Sequence, residues 1–302
     1  MLVLQNICQG GLPMTKNVNE TDVAHNEFPK QEQPDPGLQK KMMPVPNDGS
    51  ASYIGHDRLK NKKALITGGD SGIGRAVAIA YAHEGADVVL NYLPAEEEDA
   101  QDVKNIVTNL GRRIALVPGD LRQETFSQQL VAQAVSFFGD FDILVLVAGK
   151  QHAVFDIEDL STDQLVDTYT TNVFSLVWLI KAALPHLNKA GSIITTSSVQ
   201  AKKPLPYLVD YASTKAAIRN ITENLAKQLA PRNIRVNCVA PGPIWTPFQI
   251  AGGQPQEKIP ELGKNTAIGR PGQPAEVAGA YVYLASGDAT YVTGETIHVA
   301  GG

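Results

Sequence analysis

The sequence predicts a doubly wound α/β domain built on a parallel sheet of seven strands. Short apolar runs recur along the chain, separated by amphipathic stretches of helical length. Several runs are apolar at every position, which is typical of strands covered by helices on both faces. No second domain or internal repeat is visible. The seven runs are residues 64–66, 88–90, 114–117, 143–147, 193–194, 234–239 and 296–299.

The residues before the first run predict an extended arm rather than a folded unit. Residues 14–57 are polar, carry several prolines and show no period of 2 or 3.6. We therefore divide the chain into an arm at 1–57 and a domain at 58–302. Disorder is one interpretation of the arm, and contact with its own domain or a neighbouring subunit is the other. An ordered arm from Pro34 onward is favoured, because Met42, Met43, Val45 and Tyr53 could be buried there.

Composition excludes several classes of protein. The chain has 302 residues and is 43% hydrophobic, which suits a globular protein with a large core. The net charge of -5 gives no sign of the positively charged surface that nucleic-acid-binding proteins carry, so no nucleic-acid partner is expected. Cys8 and Cys238 are the only cysteines, and no Cys/His cluster accompanies them. This pattern argues against a disulfide framework or a metal site, and it favours a cytoplasmic protein with reduced thiols.

No membrane association is expected either. No apolar stretch reaches the ~20 residues that a membrane-spanning helix needs. Residues 1–11 lack the positive and sustained apolar regions of a signal peptide. Met14 is an alternative start of the protein.

A glycine-rich loop follows the first predicted strand and precedes a predicted helix. Residues 67–74 read Thr-Gly-Gly-Asp-Ser-Gly-Ile-Gly, and the helix begins at about Arg75. Glycines allow the backbone to turn tightly and approach a pyrophosphate, and a helix N-terminus supplies free N–H donors. The strand before and the helix after favour a dinucleotide-binding loop over a purely structural turn.

A second motif indicates acid/base chemistry. Tyr211 and Lys215 lie four residues apart, so they share one face of a helix and the ammonium can favour the ionised phenol. A free tyrosine titrates near pH ~10, which is too high for efficient proton transfer at neutral pH. Ser198 follows the apolar run at 193–194, where a parallel sheet presents its functional groups. A solvated Tyr–Lys pair is the alternative interpretation of this spacing taken alone.

Together these motifs resemble the short-chain dehydrogenase/reductase family, whose phosphate loop reads Thr-Gly-x-x-x-Gly-x-Gly. The likeness runs from about residue 59 to the C-terminus and includes Pro241 and Gly242. It is strongest to the general stress and glucose-dehydrogenase-like branch, whose members carry a similar N-terminal arm. The resemblance implies a Rossmann-type domain and an enzyme that acts on CH–OH donors with NAD(P).

The resemblance also implies roles for individual residues. Asn172 would hold a water that connects Lys215 to solvent, and Ser198 would orient the substrate oxygen. Tyr211 would be the acid/base, and Lys215 would lower its pKa and bind the nicotinamide ribose. One departure is visible, because Leu146 and Val147 stand where the family usually has two asparagines that tie the central strands together.

The implied cofactor contacts are spread over five strand ends. Asp120 would bond the adenine amino group, and the backbone of Ile244 and the hydroxyl of Thr246 would contact the carboxamide. The full predicted set is Gly68, Asp70, Ser71, Gly72, Ile73, Gly74, Asn91, Tyr92, Asp120, Leu121, Ala148, Gly149, Tyr211, Lys215, Pro241, Gly242, Ile244 and Thr246.

NAD is favoured over NADP. A 2′-phosphate needs positive partners, and residues 91–98 after the second predicted strand contain no lysine or arginine. Asp70 adds a negative charge in the phosphate loop. Asn91, in place of an aspartate, leaves NADP open.

The favoured function is an NAD(P)-dependent oxidoreductase that interconverts an alcohol and a carbonyl. Lys150, Gln151 and His152, with Trp245 and Phe248, would mix amides and aromatics at the pocket mouth, which favours a small polar alcohol, sugar or aldehyde. A catalytically silent, nicotinamide-dinucleotide-sensing regulatory protein is the alternative, and a structural oligomer module is a third. The complete set of four motif residues favours the enzyme.

A homotetramer is expected. The predicted helices at 166–187 and 211–229 carry apolar residues on more than one side, so one face should remain after docking on the sheet. The family resemblance also implies pairing of these helices across subunits. A monomer with a broad buried helix face is the alternative.

Overall fold

The computed structural model describes residues 28–302. Seven strands form one sheet in the order β3-β2-β1-β4-β5-β6-β7, and every neighbouring pair is parallel. The strands are β1 Lys63–Thr67, β2 Asp87–Tyr92, β3 Ile114–Pro118, β4 Phe141–Leu146, β5 Leu187–Thr196, β6 Arg235–Pro241 and β7 Thr296–Val299. The predicted fold class, a single doubly wound domain with a seven-stranded parallel sheet, is confirmed.

Residues 28–302 form seven α-helices, six of which pack on the two faces of the sheet. They are α1 Gly72–His83, α2 Glu97–Asn109, α3 Glu124–Phe138, α4 Thr162–Tyr169, α5 Ser175–Ala183, α6 Val209–Leu229 and α7 Pro274–Ala285. Apolar residues of α1, α2 and α7 pack on one face, and those of α3, α5 and α6 pack on the other. The strand order reverses between β1 and β4, which opens a crevice at the carboxyl ends of the strands.

The helix predicted at 166–187 is wrong in its extent. α4 ends at Tyr169, a turn of π-helix spans Thr170–Phe174, and α5 ends at Ala183, so Leu187 already belongs to β5. An apolar helix that runs into an apolar strand gives no change of pattern at the boundary. A π-turn is also invisible in periodicity, although such turns are frequent at functional sites.

Thr67 compensates for the missing asparagines between the central strands. Its hydroxyl accepts hydrogen bonds from the backbone N–H groups of Val147 and Ala148, at 3.2 and 3.3 Å. The end of β1 is thereby held to the end of β4 without an amide side chain.

The described part of the arm, residues 28–57, packs on the domain with one short 3-10 turn at Gln39–Lys41. Phe28 and Met42 are buried around Trp245, with the Phe28 and Trp245 ring centroids 4.4 Å apart. The prediction that Met43 and Val45 would be buried is wrong, since they are 72% and 57% exposed. Extended chain has neighbours on one side only, so alternate side chains point to solvent.

Three predictions concern residues outside the described part of the chain: the alternative start at Met14, the missing signal peptide and the state of Cys8. Within residues 28–302, no helix has the length and apolarity to cross a membrane.

Candidate active site

The predicted site residues meet in one cleft of about 390 Å³ at the carboxyl ends of the strands. All eighteen predicted cofactor-binding residues line it, as does Ser198. They come from the loops after β1, β2, β3, β4, β5 and β6 and from helix α6. Asn172 lies behind the cleft, in the π-turn between α4 and α5.

The glycine-rich loop leaves no room for side chains. A Cβ on Gly74 would overlap the carbonyl oxygen of Gly68, and one on Gly72 would lie 3.0 Å from the Thr246 methyl group. Gly68 has a φ of +62°, and a Cβ on it would lie 3.1 Å from the Cα of Ala148. The loop ends at the N-terminus of α1, where backbone N–H groups and the helix dipole favour an anion. This cradle fits the pyrophosphate of a dinucleotide.

The catalytic end of the cleft, which we define as Asn172, Ser198, Tyr211 and Lys215, is assembled by α6 and the end of β5. Tyr211 and Lys215 lie one turn apart on α6, with Lys215 Nζ 5.4 Å from the Tyr211 ring centroid. The ammonium donates to the carbonyl oxygen of Thr196, at 3.0 Å. The Ser198 hydroxyl lies near enough to the Tyr211 phenol to lower its pKa, and it accepts from the backbone N–H of Gln200 at 3.2 Å.

The pKa values at this end are set by burial. Burial raises the pKa of Tyr211 to about 12, and the hydrogen bond with Ser198 offsets only part of this rise. Burial lowers the pKa of Lys215 to about 8, opposed in part by the Cys238 thiol. The predicted lowering of the Tyr211 pKa by Lys215 is therefore not found, because the desolvation of the phenol outweighs the other influences on its pKa.

Asn172 is fully engaged with its neighbours. Its side-chain oxygen accepts from the backbone N–H of Lys150 at 2.7 Å, and its amide nitrogen donates to the Lys150 carbonyl and the Thr214 hydroxyl. A Cβ on Gly149 would touch both the Asn172 amide oxygen and Lys215 Nζ, at 3.4 Å each. The π-turn thus presents Asn172 to the loop after β4, directly behind Lys215.

At the opposite side, the β2 end of the cleft comprises Asp70, Asn91, Tyr92 and Glu96. Asp70 is 1% exposed, and its Oδ2 atom has no hydrogen-bond partner within residues 28–302. Asn91 donates to the carbonyl oxygens of Val117 and Gly119, at 3.2 and 3.1 Å, so its amide ties β2 to β3. Glu96 accepts from the Leu93 N–H at 2.8 Å as a helix cap, in addition to lining the cleft.

Burial raises the pKa values of both carboxyls at the β2 end. It raises the pKa of Asp70 to about 6, with a smaller contribution from the Asp99 charge. It raises the pKa of Glu96 to about 8, with the Asp70 charge as the next cause. The two groups therefore repel one another and compete for protons near neutral pH.

Sequence reasoning missed several residues that line the cleft. Asp35, Pro36 and Gly37 of the arm and Arg122 are among them. The approach of the three arm residues depends on long-range packing that no local pattern predicts, whereas Arg122 directly follows the predicted Leu121 and could have been found from its position. Asp120, predicted to contact adenine, is paired with Arg122 at 2.6 Å.

Trp245 is not at the pocket mouth, as predicted, because it is fully buried and its indole N–H donates to the Pro44 carbonyl at 2.8 Å. Phe248 does line the cleft, with its ring centroid 5.9 Å from that of Tyr211. The turn at Gln249–Gly253 follows it and also contributes to the wall.

Comparison with known proteins agrees with this fold and site. Residues 68–302 match the family model described as enoyl-(acyl carrier protein) reductase. The chain therefore belongs to the short-chain dehydrogenase/reductase family. It is 59% identical over 276 residues to the uncharacterized oxidoreductase YghA of Escherichia coli, covering 91% of this chain and 94% of that protein.

Two further relatives and one solved structure carry more specific names. General stress protein 39 of Bacillus subtilis is 46% identical, covering 91% of this chain and 96% of its own. The chloroplastic NADPH-dependent aldehyde reductase 1 of Arabidopsis thaliana is 41% identical, covering 88% and 94%. A short chain dehydrogenase from Burkholderia cenocepacia in complex with NADP superimposes with a TM-score of 0.76 at 33% identity, covering 81% of this chain and 98% of that one.

Proposed function

We propose that the protein is an NAD(P)-dependent oxidoreductase that interconverts an alcohol and its carbonyl compound, with Tyr211 as the acid/base. The observation that carries the proposal is the phenol of Tyr211, one helical turn from Lys215, in the same cleft as Ser198 and the glycine-rich loop. A nicotinamide bound in this cleft would supply or accept the hydride.

In carbonyl reduction, Tyr211 donates its proton to the substrate oxygen. The phenol holds this proton at neutral pH, since burial raises its pKa to about 12. The Ser198 hydroxyl orients the same oxygen and stabilises the negative charge that develops on it. In alcohol oxidation the phenol must first be deprotonated, and the positive charges of Lys215 and of an oxidised nicotinamide favour that state.

Lys215 has two tasks in this proposal. Its ammonium stabilises the phenolate after proton transfer, and it binds the hydroxyls of the nicotinamide ribose. Thr196 holds the ammonium by its carbonyl oxygen, and Asn172 lies behind it across Gly149. The Asn172 amide N–H groups are taken by Lys150 and Thr214, so Asn172 would hold the water that connects Lys215 to solvent through an oxygen acceptor.

Two kinds of support point in opposite directions on whether the cofactor is NAD or NADP, which differ by a phosphate on the 2′-position of the ribose. The names of the Arabidopsis relative and of the Burkholderia structure favour NADP. The β2 end of the cleft has two carboxyls and no lysine or arginine among its four residues, which favours NAD. Titration of the protein with NADH and with NADPH, followed by nicotinamide fluorescence, decides between them.

The substrate class is a small polar alcohol, sugar or aldehyde. Gln151 and Gln249 line the cleft near Tyr211 and Phe248. The side-chain oxygen of Gln249 is buried and has no hydrogen-bond partner within the described residues. A substrate hydroxyl would satisfy this acceptor, whereas an apolar substrate would leave it unpaired at a cost of about 1–3 kcal/mol.

The test is a panel of alcohols, sugars and aldehydes, followed by the absorbance of reduced nicotinamide with each cofactor. We expect turnover with aldehydes and polyols, and weaker turnover with apolar analogues of the same size. Tight cofactor binding without turnover of any compound in the panel would favour the silent nicotinamide-sensing regulator instead.

We also propose a cytoplasmic homotetramer. Four apolar residues are partly exposed on α4, the π-turn and α6: Leu165, Val166, Phe174 and Val209. The ring of Phe174 makes tilted contacts with Tyr169 and Trp178, at centroid distances of 6.4 and 6.1 Å. A two-fold contact would bury this face. Light scattering after gel filtration tests it, and a mass near 32.4 kDa would exclude the oligomer.

A further inference from the structure

The arm crosses the cleft and joins two of its walls. Gly37 packs against the turn after β6, where a Cβ would lie 3.1 Å from Ala251 Cβ and 3.3 Å from Pro247 Cβ. Two residues earlier, the Asp35 carboxylate is 3.2 Å from Lys150 Nζ, on the loop after β4. Residues 35–37 line the cleft between these two contacts.

Two residues later, the arm reaches the phosphate loop. Gln39 is 2% exposed, and its side-chain oxygen accepts a hydrogen bond from the backbone N–H of Gly72, at 2.7 Å. Gly72 is the first residue of α1, and the side chain of the preceding Ser71 makes no capping bond. The arm therefore supplies an acceptor for one of the backbone N–H groups that the first turn of a helix leaves without an intrahelical partner.

Gln39 is itself held in place by α2. The carboxylate of Asp99, which is fully buried, accepts hydrogen bonds from the backbone N–H groups of Gln39 and Lys40. This chain of contacts fixes the side chain of Gln39 against the start of α1. The arm lies outside residues 68–302 that match the family model, so this arrangement is additional to the family's cofactor site.

We propose that the arm is a wall of the cofactor site, and that Gln39 is a positioning residue that orients the phosphate loop through Gly72. The inference rests on the proposed function, since it concerns a nicotinamide dinucleotide in this cleft. With Gly72 held by Gln39, the next N–H groups of α1 remain free for the pyrophosphate. Residues 35–37 close the cleft beside it and slow the departure of the cofactor.

The test compares two glutamines of the same arm. Gln39→Leu removes the acceptor for Gly72 and keeps a similar volume. Gln31→Leu is the matched control, because Gln31 is only partly buried and its side chain bonds to arm backbone at Pro29 and Met43. We expect Gln39→Leu to raise the dissociation constants of NADH and NADPH about tenfold, which is the effect of leaving one buried N–H unpaired. Gln31→Leu should stay within twofold of wild type.

A second variant separates the closure of the cleft by residues 35–37 from the positioning of the phosphate loop by Gln39. Gly37→Val places a branched side chain against Ala251 and Pro247 and lifts the arm from that wall, with Gln39 unchanged. We expect stopped-flow displacement to show several-fold faster NADH release. The Michaelis constant for the cofactor should rise in both variants while kcat at saturating cofactor is kept or increased. A general loss of structure would lower kcat as well.

The outcomes separate this inference from the proposed function. If wild type binds the cofactor and both Gln39→Leu and Gly37→Val match it in affinity and release rate, the inference is wrong and the proposed function stands. If Gln39→Leu fails to fold, Gly37→Val alone decides. Failure of wild type to bind either nucleotide would overturn the proposed function, and this inference with it.

Discussion

The catalytic end and the β2 end of the cleft differ in how their polar groups are satisfied. At the catalytic end, Lys215, Ser198 and Asn172 all have partners within the protein, at 2.7–3.2 Å. At the β2 end, one oxygen of Asp70 has no hydrogen-bond partner among residues 28–302. Buried polar groups are rarely left unpaired, so we expect a ligand to complete the β2 end, just as a substrate would complete the buried side-chain oxygen of Gln249.

The two ends also differ in which part of the chain builds them. The catalytic end comes from one helix, one strand end and a π-turn, all in the residues that match the family model. The arm adds Gln39 at the phosphate loop, whereas Asp35 and Gly37 contact the loop after β4 and the turn after β6. The proposed acid/base residues therefore belong to the part of the chain that matches the family model, and the arm contributes to the walls of the proposed cofactor site.

The largest expected effect comes from Tyr211→Phe, which tests whether the catalytic end acts through proton transfer. The change removes only the hydroxyl, so turnover should fall at least about 100-fold while the dissociation constant of the cofactor stays within a few-fold. Steady-state kinetics and a fluorescence titration measure the two quantities. Tyr207→Phe is the control, since its hydroxyl contacts only Gln254, at 3.2 Å. Retention of more than about a tenth of wild-type turnover would remove Tyr211 as the acid/base.

Much of this end could be predicted from the sequence because local rules fix it. Helical spacing places Tyr211 and Lys215 together, and apolar runs locate the strands whose ends meet at the crevice. The burial of Trp245 and the approach of Asp35 to Lys150 depend on where the arm packs. Such contacts join residues far apart in the chain and leave no periodic pattern. The raised pKa of Tyr211 escaped prediction for a related reason, since spacing gives the position of a charge but not the desolvation of both partners.

A smaller effect is expected from Lys215→Met, which links the catalytic end to cofactor binding. Methionine keeps the length of the side chain but loses the ammonium, so both the phenolate and the ribose lose a partner. Turnover should fall strongly, and the dissociation constant of the cofactor should rise about tenfold, as expected for a charged hydrogen bond. Lys202→Met, on the exposed turn after Ser198, is the matched control. If Lys215→Met and Tyr211→Phe bind the cofactor equally well, the ribose contact is absent.

The smallest effect is a change of cofactor preference with pH, and it tests the β2 end directly. The pKa values of Asp70 and Glu96 are raised to about 6 and about 8, so both carboxyls lose protons between these values as pH rises. The added negative charge should weaken NADPH more than NADH, because only NADPH carries a 2′-phosphate. Asp35, Asp99 and Arg75 face the same pair, and among them only Arg75 opposes the repulsion.

We therefore expect the affinity ratio of NADPH to NADH to fall a few-fold from pH 6 to pH 8, measured by fluorescence titration of both nucleotides. The 2′-phosphate also titrates near pH ~6, so part of the slope belongs to the nucleotide itself. The double variant Asp70→Asn/Glu96→Gln isolates that part, because both substitutions keep the size of the side chains and remove the charges. The NADPH-to-NADH affinity ratio of the double variant should be higher than that of wild type at pH 8, and it should vary less with pH. If the affinity ratio changes with pH equally in wild type and the double variant, these carboxyls do not face the ribose. The proposed role of the β2 end in cofactor choice would then be wrong.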